Sequence, residues 1–394
     1  QVHLAVLKSC AQEARPYAIY LFFGLASVYY FIKSIRSNKF YYWYLYVLFT
    51  VIGLYNHFLF EILILFEIFY ILFYLFIVKQ YTIKVIINNL LKDKYSLIRK
   101  IFYVYLIILL VSAPLIPRTF REGNAEYWRT SPTLEITTKI FINFATWIYP
   151  GYELREKIKG LLFFEMTFME ILLVLSVALT VIMSYALIAY LIYSKLRKLN
   201  LKNFITNDQS TVFLLLWFVF PILFSFIVSV FTPIPIFGPI HYLLYSVPAF
   251  IILLSKGMLT FRKYLTFLFI FFIIINILPL YAYYANVDKQ QWREVAAYMR
   301  GNVNANEAVI ISLFSGEVTF RYYYGDAENI YGVKDLEETL DIIKDRERLW
   351  LILSFWRYQD PDGSIQNYIS ENYDLIESKN FFDIQVQHFQ KKKS

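Results

Sequence analysis

Long apolar stretches recur through the first 284 residues, separated by short polar segments. A bilayer span takes roughly 20 mostly apolar residues. The chain meets or approaches that length at Tyr17–Lys33, Phe40–Asn56, Phe58–Val78, Ile101–Pro117, Leu162–Tyr193, Val212–Phe231, Tyr242–Lys256 and Tyr264–Tyr284. The pattern predicts about eight transmembrane helices. The faintest boundary lies between the second and third, where Gly53 and the triplet Tyr55-Asn56-His57 are the only interruption. Leu162–Tyr193 exceeds one span and is expected to tilt or protrude.

From Asn286 the pattern changes. Gln290–Arg300 has helical spacing, with Trp292, Val295, Ala296 and Met299 on one face. Ala308–Leu313 and Leu349–Ser354 read as strands, and Glu317–Tyr324 and Asp335–Ile343 as helices. Tyr368–Glu377 and Phe381–Phe389 read as a helix end and edge strands, and Lys391-Lys392-Lys393 as a solvated tail. Strands alternating with helices predict a small α/β domain. The expected organisation is a polytopic α-helical membrane domain over 1–284 and a soluble α/β domain over 285–394.

Composition supports the membrane reading. The chain is 58% hydrophobic and 17% charged, with mean hydropathy +0.48, where soluble domains run near 25% charged. The net charge of +8 does not point to nucleic acid once it is located. Residues 1–284 carry 25 Lys and Arg against 12 Asp and Glu; residues 285–394 carry 13 against 18. The basic excess gathers in alternate loops, at Lys33, Arg36 and Lys39; at Lys79, Lys84, Lys92, Lys94, Arg99 and Lys100; at Lys195, Arg197, Lys198 and Lys202; and at Lys256, Arg262 and Lys263. Only Asp93 and Asp208 oppose them. Positive loops stay cytoplasmic. The Tyr55–Phe58 turn, the loop Arg118–Gly160, the turn Thr232–His241 and the C-terminal domain then fall on the non-cytoplasmic side of a multi-pass cell-membrane protein. The single cysteine, Cys10, excludes an internal disulfide. The chain opens on Gln1 with polar residues and no signal-peptide pattern, and is read as lacking an N-terminal stretch.

Four places at external helix ends carry candidate chemistry. Glu13 and Arg15 precede Pro16 and Tyr17 at the mouth of the first span; an arginine there suits a lipid-linked phosphate, or snorkels to the interface with Glu13 as a cap. His57 and Glu61, four residues apart, are expected on one helix face, to orient a hydroxyl, to bind a cation or to join helices. Glu67 lies deeper, where a bare charge is costly, and is expected to pair or to sit protonated. Arg118 and Trp128 stand in the long external loop, suited to phosphate contact and sugar stacking or to an interfacial belt. His241 and Tyr242 follow a Pro-rich turn and enter a span at its external edge. Glu165 and Glu170 are weaker candidates. No Gly-rich phosphate loop, CxxC or HExxH occurs; no metal ligand is assigned, and the cofactor is left open.

At these residues the chain resembles the C-type membrane glycosyltransferases, specifically the family-39-like enzymes related to protein O-mannosyltransferases and the aminoarabinose transferase of lipid A. The matching pieces are Glu13-Ala14-Arg15-Pro16-Tyr17, Tyr55-Asn56-His57, Ala113-Pro114-Leu115-Ile116-Pro117 with Trp128, and Leu216-Trp217-Phe218-Val219-Phe220-Pro221. His241-Tyr242 with Pro248-Ala249-Phe250, Gln291-Trp292-Arg293 and Tyr322-Tyr323-Tyr324 complete the succession. The resemblance implies a hexosyltransferase that moves a sugar from a polyprenyl-phosphate carrier to a protein, lipid or glycan acceptor on the external face. It implies Arg15 and Tyr242 as donor-phosphate or sugar contacts, His57 as a site-lining residue and Glu13 as the positioning partner of Arg15. The family's catalytic acid lies in the first external loop, before the residue that matches Gln1, so no base is assigned. An arginine commonly stands where this chain has His241, and histidine is cationic only at lower pH.

Two other classes compete. A transporter places ionisable groups at mid-depth and breaks helices near the midplane, whereas here the polar groups gather at helix ends. A non-catalytic membrane scaffold rests on the unassigned base.

Overall fold

In the computed structural model, the described residues are 17–37, 39–57, 59–91, 93, 96–115, 132–146, 158, 163–232, 236–238, 240–285, 290–312, 314–354, 363–382 and 384–392. The chain divides into two compact units, Gln1–Ala282 and Tyr283–Ser394.

The first unit is helical. Its elements are α1 (Tyr17–Ser37), α2 (Phe40–Asn56), α3 (Phe60–Phe73, running on into a π turn, Tyr74–Val78), α4 (Ile83–Leu91), α5 (Leu97–Ser112) and α6 (Leu134–Thr146). They continue with α7 (Phe168–Lys198), α8 (Leu201–Asn207), α9 (Gln209–Phe231), α10 (Val247–Leu259, entered through the 3-10 turn Ile240–Ser246) and α11 (Leu265–Ala285). Seven helical segments among the described residues are long and apolar enough to cross a membrane: Tyr17–Ser37, Phe60–Val78, Leu97–Leu115, Phe168–Lys198, Gln209–Phe231, His241–Leu259 and Arg262–Ala282. The eighth expected span, Phe40–Asn56, is a helix with those bounds but only 17 residues. At 1.5 Å per residue it reaches about 25 Å, short of a roughly 30 Å hydrocarbon core.

Helices in lipid associate through close packing and small or hydroxyl residues, because lipid is as apolar as leucine. The buried stripe of α1 follows that rule: Tyr17, Tyr20, Leu21, Gly24, Ser27, Val28, Phe31 and Ser34 recur every three or four positions. A Cβ at Gly53 of α2 would overlap the Phe60 ring, and one at Gly257 of α10 would stand 2.7 Å from the Leu187 carbonyl oxygen of α7. Large apolar side chains such as Phe22, Leu110, Phe267 and Phe269 stay exposed, as a lipid-facing surface requires.

The ends of this unit differ. Asp208 caps α9, accepting from Thr211 N–H at 3.4 Å. It also meets Lys195 of α7 at 2.9 Å and Lys256 of α10 at 3.9 Å. Burial pushes its carboxyl up, but hydrogen bonds from Lys195 and Thr211 and the charges of Lys256 and Lys195 outweigh it and hold the group below the usual aspartate range. The clamp holds Lys256 in the last turn of α10, the end opposite the turn through which His241 enters that helix beside Tyr17.

The second unit is an α/β fold. In chain order it runs α12 (Trp292–Arg300), β1 (Ala308–Ile311), α13 (Phe314–Tyr324), β2 (Ile330–Gly332), α14 (Leu336–Ile343), β3 (Arg348–Ser354), α15 (Ser364–Asn372), β4 (Tyr373–Phe381) and β5 (Ile384–Lys391). The five-stranded sheet has the order β2-β1-β3-β5-β4. β1 pairs parallel with β2 and β3, while β5 runs antiparallel to both β3 and β4. One face packs on Trp292, Val295 and Met299 of α12 and Phe320 of α13; the other on Ile343 of α14 and Ile365 and Ile369 of α15. All of β1 is buried, as covering both faces of a parallel strand dictates.

Two expectations are corrected here. The segment Phe381–Phe389 does not form an edge: β5 is paired on both sides, and β4 and β2 are the edges. Lys391 and Lys392 are exposed but not a free tail: Lys391 ends β5 and its N–H donates to the Glu347 carbonyl at 2.8 Å, and Lys392 Nζ donates to the Glu371 carbonyl at 2.8 Å. Lys393 lies outside the described residues.

Candidate functional site

The turn between α2 and α3 builds the first wall. Asn56 ends α2, and His57 takes an extended conformation (φ −154°, ψ 127°) while its N–H still donates to the Gly53 carbonyl at 3.1 Å. The His57 carbonyl accepts from Phe60 N–H at 3.0 Å, which starts α3. Leu59 N–H donates to His57 Nδ1 at 3.2 Å, so the neutral imidazole carries its proton on Nε2. Gly53 lets the buried Phe60 ring fold back against α2.

Two other segments reach this turn. Tyr17 and Tyr20, one turn apart on α1, are both buried. Tyr17 lies 5.7 Å from the His57 ring and 4.7 Å from the His241 ring. Tyr20 lies 5.1 Å from His57 and makes an edge contact with Tyr245 at 5.8 Å. His241 meets Tyr242 edge-on at 4.6 Å, and Tyr242 lies 6.4 Å from His57. Two imidazoles and four phenols from α1, the α2–α3 turn and the entrance to α10 thus share one end of the helical unit. Flat aromatic faces suit sugar C–H surfaces, and imidazole and phenol protons suit hydroxyl and phosphate oxygens.

Deeper in the same unit, Glu67 of α3 is fully buried. Tyr46 donates to its Oε2 at 2.6 Å, and the Ser27 hydroxyl hydrogen bonds to its Oε1 at 3.2 Å. Ser27 also meets the Thr50 hydroxyl at 2.8 Å, and Thr50 donates to the Tyr46 carbonyl at 2.7 Å. Tyr105 of α5 completes the group, 3.1 Å from the Tyr46 hydroxyl. Four helices therefore meet at one carboxyl.

Of the residues singled out in the sequence, Tyr17, His57, His241 and Tyr242 are brought together. Glu61 is not placed as expected. His57 is the C-cap of α2, so the two do not share a helix face, and Glu61 occupies an exposed position in the first turn of α3, where a carboxylate favours the helix N-terminus. Glu170 forms a capping box with Thr167, its Oε2 accepting from Thr167 N–H at 2.7 Å, and Glu165 is exposed in a 3-10 turn. Glu13, Arg15, Arg118 and Trp128 lie outside the described residues. Sequence reasoning missed Tyr20 and Tyr245; the signal was their helical spacing from Tyr17 and His241. Among the described residues no three His, Cys, Asp or Glu side chains gather as metal ligands. Compared with protein-family models, curated proteins and solved structures, the chain matches none.

Proposed function

We propose that the chain is a multi-pass membrane glycosyltransferase that moves a sugar from a polyprenyl-phosphate carrier to an acceptor at the non-cytoplasmic face. The observation that carries this reading is the convergence of Tyr17, His57, His241 and Tyr242, from three separate segments, at the end of the bundle away from the basic residues. The aromatic faces hold the sugar, the imidazoles engage the donor phosphate and hydroxyls, and the lipid tail lies along the apolar helix surface. The C-terminal α/β unit is non-cytoplasmic in this reading. Its test is transfer of labelled sugar from polyprenyl-phosphate carriers in membranes holding the wild type, His241→Ala or Arg15→Ala. Loss of a charge-assisted contact lowers transfer by about tenfold or more. An unchanged rate in both variants removes the proposed site.

A transporter is the second reading, favoured by Glu67, because an ionisable group deep in a bundle is functional by default. Proton-coupled solute flux in liposomes, abolished by Glu67→Gln with sugar transfer absent, decides for it.

A further inference from the structure

At the basic end of the helical unit, a cavity of about 240 Å³ lies between the end of α3 and the start of α5. Its polar lining is Tyr74, Lys79, Tyr81, Asn89, Asp93 and Ser96. The walls are built by unusual backbone. The end of α3 widens into a π turn, in which Lys79 N–H donates to the Tyr74 carbonyl at 2.9 Å, and π turns recur at functional sites. Gln80 then takes a positive φ of 54°, a conformation that disfavours a side chain, and Tyr81 N–H returns to the Leu75 carbonyl at 2.9 Å. The opposite wall is fixed by Ser96, which caps α5 and donates to the Asn89 carbonyl at 2.8 Å.

The floor helix, α4, is amphipathic. Ile86 and Leu90 pack on the bundle core, while Ile83, Ile87 and Leu91 are exposed. Because α4 joins two segments able to cross a bilayer, that exposed apolar edge meets lipid at the interface. Arg99 is committed to the α4 carboxyl end, donating to the Leu90 carbonyl at 2.7 Å and the Leu91 carbonyl at 2.6 Å. Among the described residues, Lys79, whose Nζ lies 5.5 Å from the Tyr74 ring centre, is the cation that lines the cavity, and Asp93 the anion. The volume falls below the roughly 300–1,000 Å³ of sites for drug-sized ligands, and suits a small charged headgroup.

We propose that this cavity binds the headgroup of an aminoalkyl phospholipid, such as phosphatidylethanolamine. Lys79 takes the phosphate, with Tyr81 and Asn89 as neutral partners. Asp93 takes the ammonium, and the acyl chains run along Ile83, Ile87 and Leu91. This site is independent of the one at the other end.

The test mixes the delipidated full chain with micelles holding phosphatidylethanolamine or phosphatidylglycerol and counts retained lipid by native mass spectrometry. The wild type retains one phosphatidylethanolamine in preference to phosphatidylglycerol. Lys79→Ala weakens retention about tenfold, the usual effect of losing one charge-assisted contact. Lys84→Ala, which removes a neighbouring charge outside the cavity, leaves retention unchanged, and Asp93→Asn erases the preference between the two lipids. Equal retention by wild type and Lys79→Ala, an equal loss in Lys84→Ala, or a preference that survives Asp93→Asn overturns the site. Displacement of the lipid by soluble phosphoethanolamine at equal concentration overturns the lipid as its occupant.

Discussion

The Tyr46 hydroxyl donates a 2.6 Å hydrogen bond to Glu67 in the middle of the helical unit, where neither residue meets solvent. Its surroundings allow a count of protons. Ser27 and Thr50 have two hydroxyl protons between them but make three contacts: Thr50 to the Tyr46 carbonyl, Ser27 to Thr50, and Ser27 to Glu67. The third is filled when Glu67 carries a proton. Glutamine has the same shape, and its NH₂ supplies that donor while its oxygen accepts from Tyr46. Glu67→Gln is therefore expected to change stability by under about 1 kcal/mol, and Glu67→Ala to cost about 2–4 kcal/mol through the cavity and orphaned hydroxyls. Thermal unfolding in lipid nanodiscs compares the two. A glutamine variant as unstable as the alanine variant refutes the proton count.

Gly53→Ala tests the turn that positions His57. An added methyl overlaps the ring of Phe60, a side chain with no exposed surface. Overpacking of this kind costs about 1–3 kcal/mol. Adding Phe60→Leu, which clears the space, is expected to recover part of the loss beyond additivity. Two losses that simply add would show that the contact does not set the turn.

Much of this architecture is legible in the sequence, and the limits have physical causes. Apolar runs of bilayer length locate the long helices, and α2, though shorter than a bilayer core, appears between the bounds its sequence marks because Lys39 and His57 flank its ends. His57 and His241 are 184 residues apart, and helical periodicity gives no partner across that distance. Ser27 and Thr50 read as ordinary small positions, so their link to Glu67 needs the packed bundle. The alternation in Ile384–Lys391 suggests a half-exposed edge, yet Gln387 and His388 are buried. The polar half of that pattern is covered because His388 stacks flat on Trp350, at 4.0 Å and 5° between planes, beside Glu307 at 3.4 Å.

Glu307 makes the C-terminal unit acid-sensitive. Burial pushes its carboxyl up, but hydrogen bonds from Trp350 Nε1 (2.8 Å) and from the Asn304 backbone and amide, with the nearby His388, outweigh that and hold it below the usual glutamate range. A depressed folded-state value means the unfolded chain binds the proton first. The stabilisation is complete above the ordinary value near 4.5 and is lost as pH falls from there through the folded value. Near-ultraviolet circular dichroism of the tryptophans is expected to show unfolding of the unit at acid pH. Glu307→Gln, already neutral, flattens that dependence; an unaltered acid transition in this variant would discard the assignment.

The Asp208 clamp separates two contributions. Asp208→Asn keeps a side-chain oxygen for the α9 cap but loses the attraction to Lys195 and Lys256. With the ion pairs partly exposed, that costs about 0.5–1 kcal/mol. Asp208→Ala also removes the cap and is expected to cost about 1 kcal/mol more. Thermal melts at low and high salt divide the terms, since only the ionic part is screened. Equal losses in the two variants would show that the cap contributes nothing.

The charge asymmetry between the two ends gives the last prediction. Lys195, Arg197 and Lys198 close α7, at the end that holds Lys256 and Asp208, whereas Tyr17, His57 and His241 share the other. Retention of positive loops in the cytoplasm is then expected to orient the spanning helices with that end inside. The sole cysteine, Cys10, is first replaced by serine, and Lys198→Cys and Asn124→Cys are made separately in that background. In right-side-out vesicles an impermeant maleimide is expected to label the cysteine at position 124 at once and the one at position 198 only after permeabilisation. Labelling of both without permeabilisation places the two positions on one face. It would also remove the orientation from which the glycosyltransferase reading draws its external site, because Asn124 belongs to the segment Arg118–Gly160 expected on the non-cytoplasmic side and Lys198 ends α7 among basic residues.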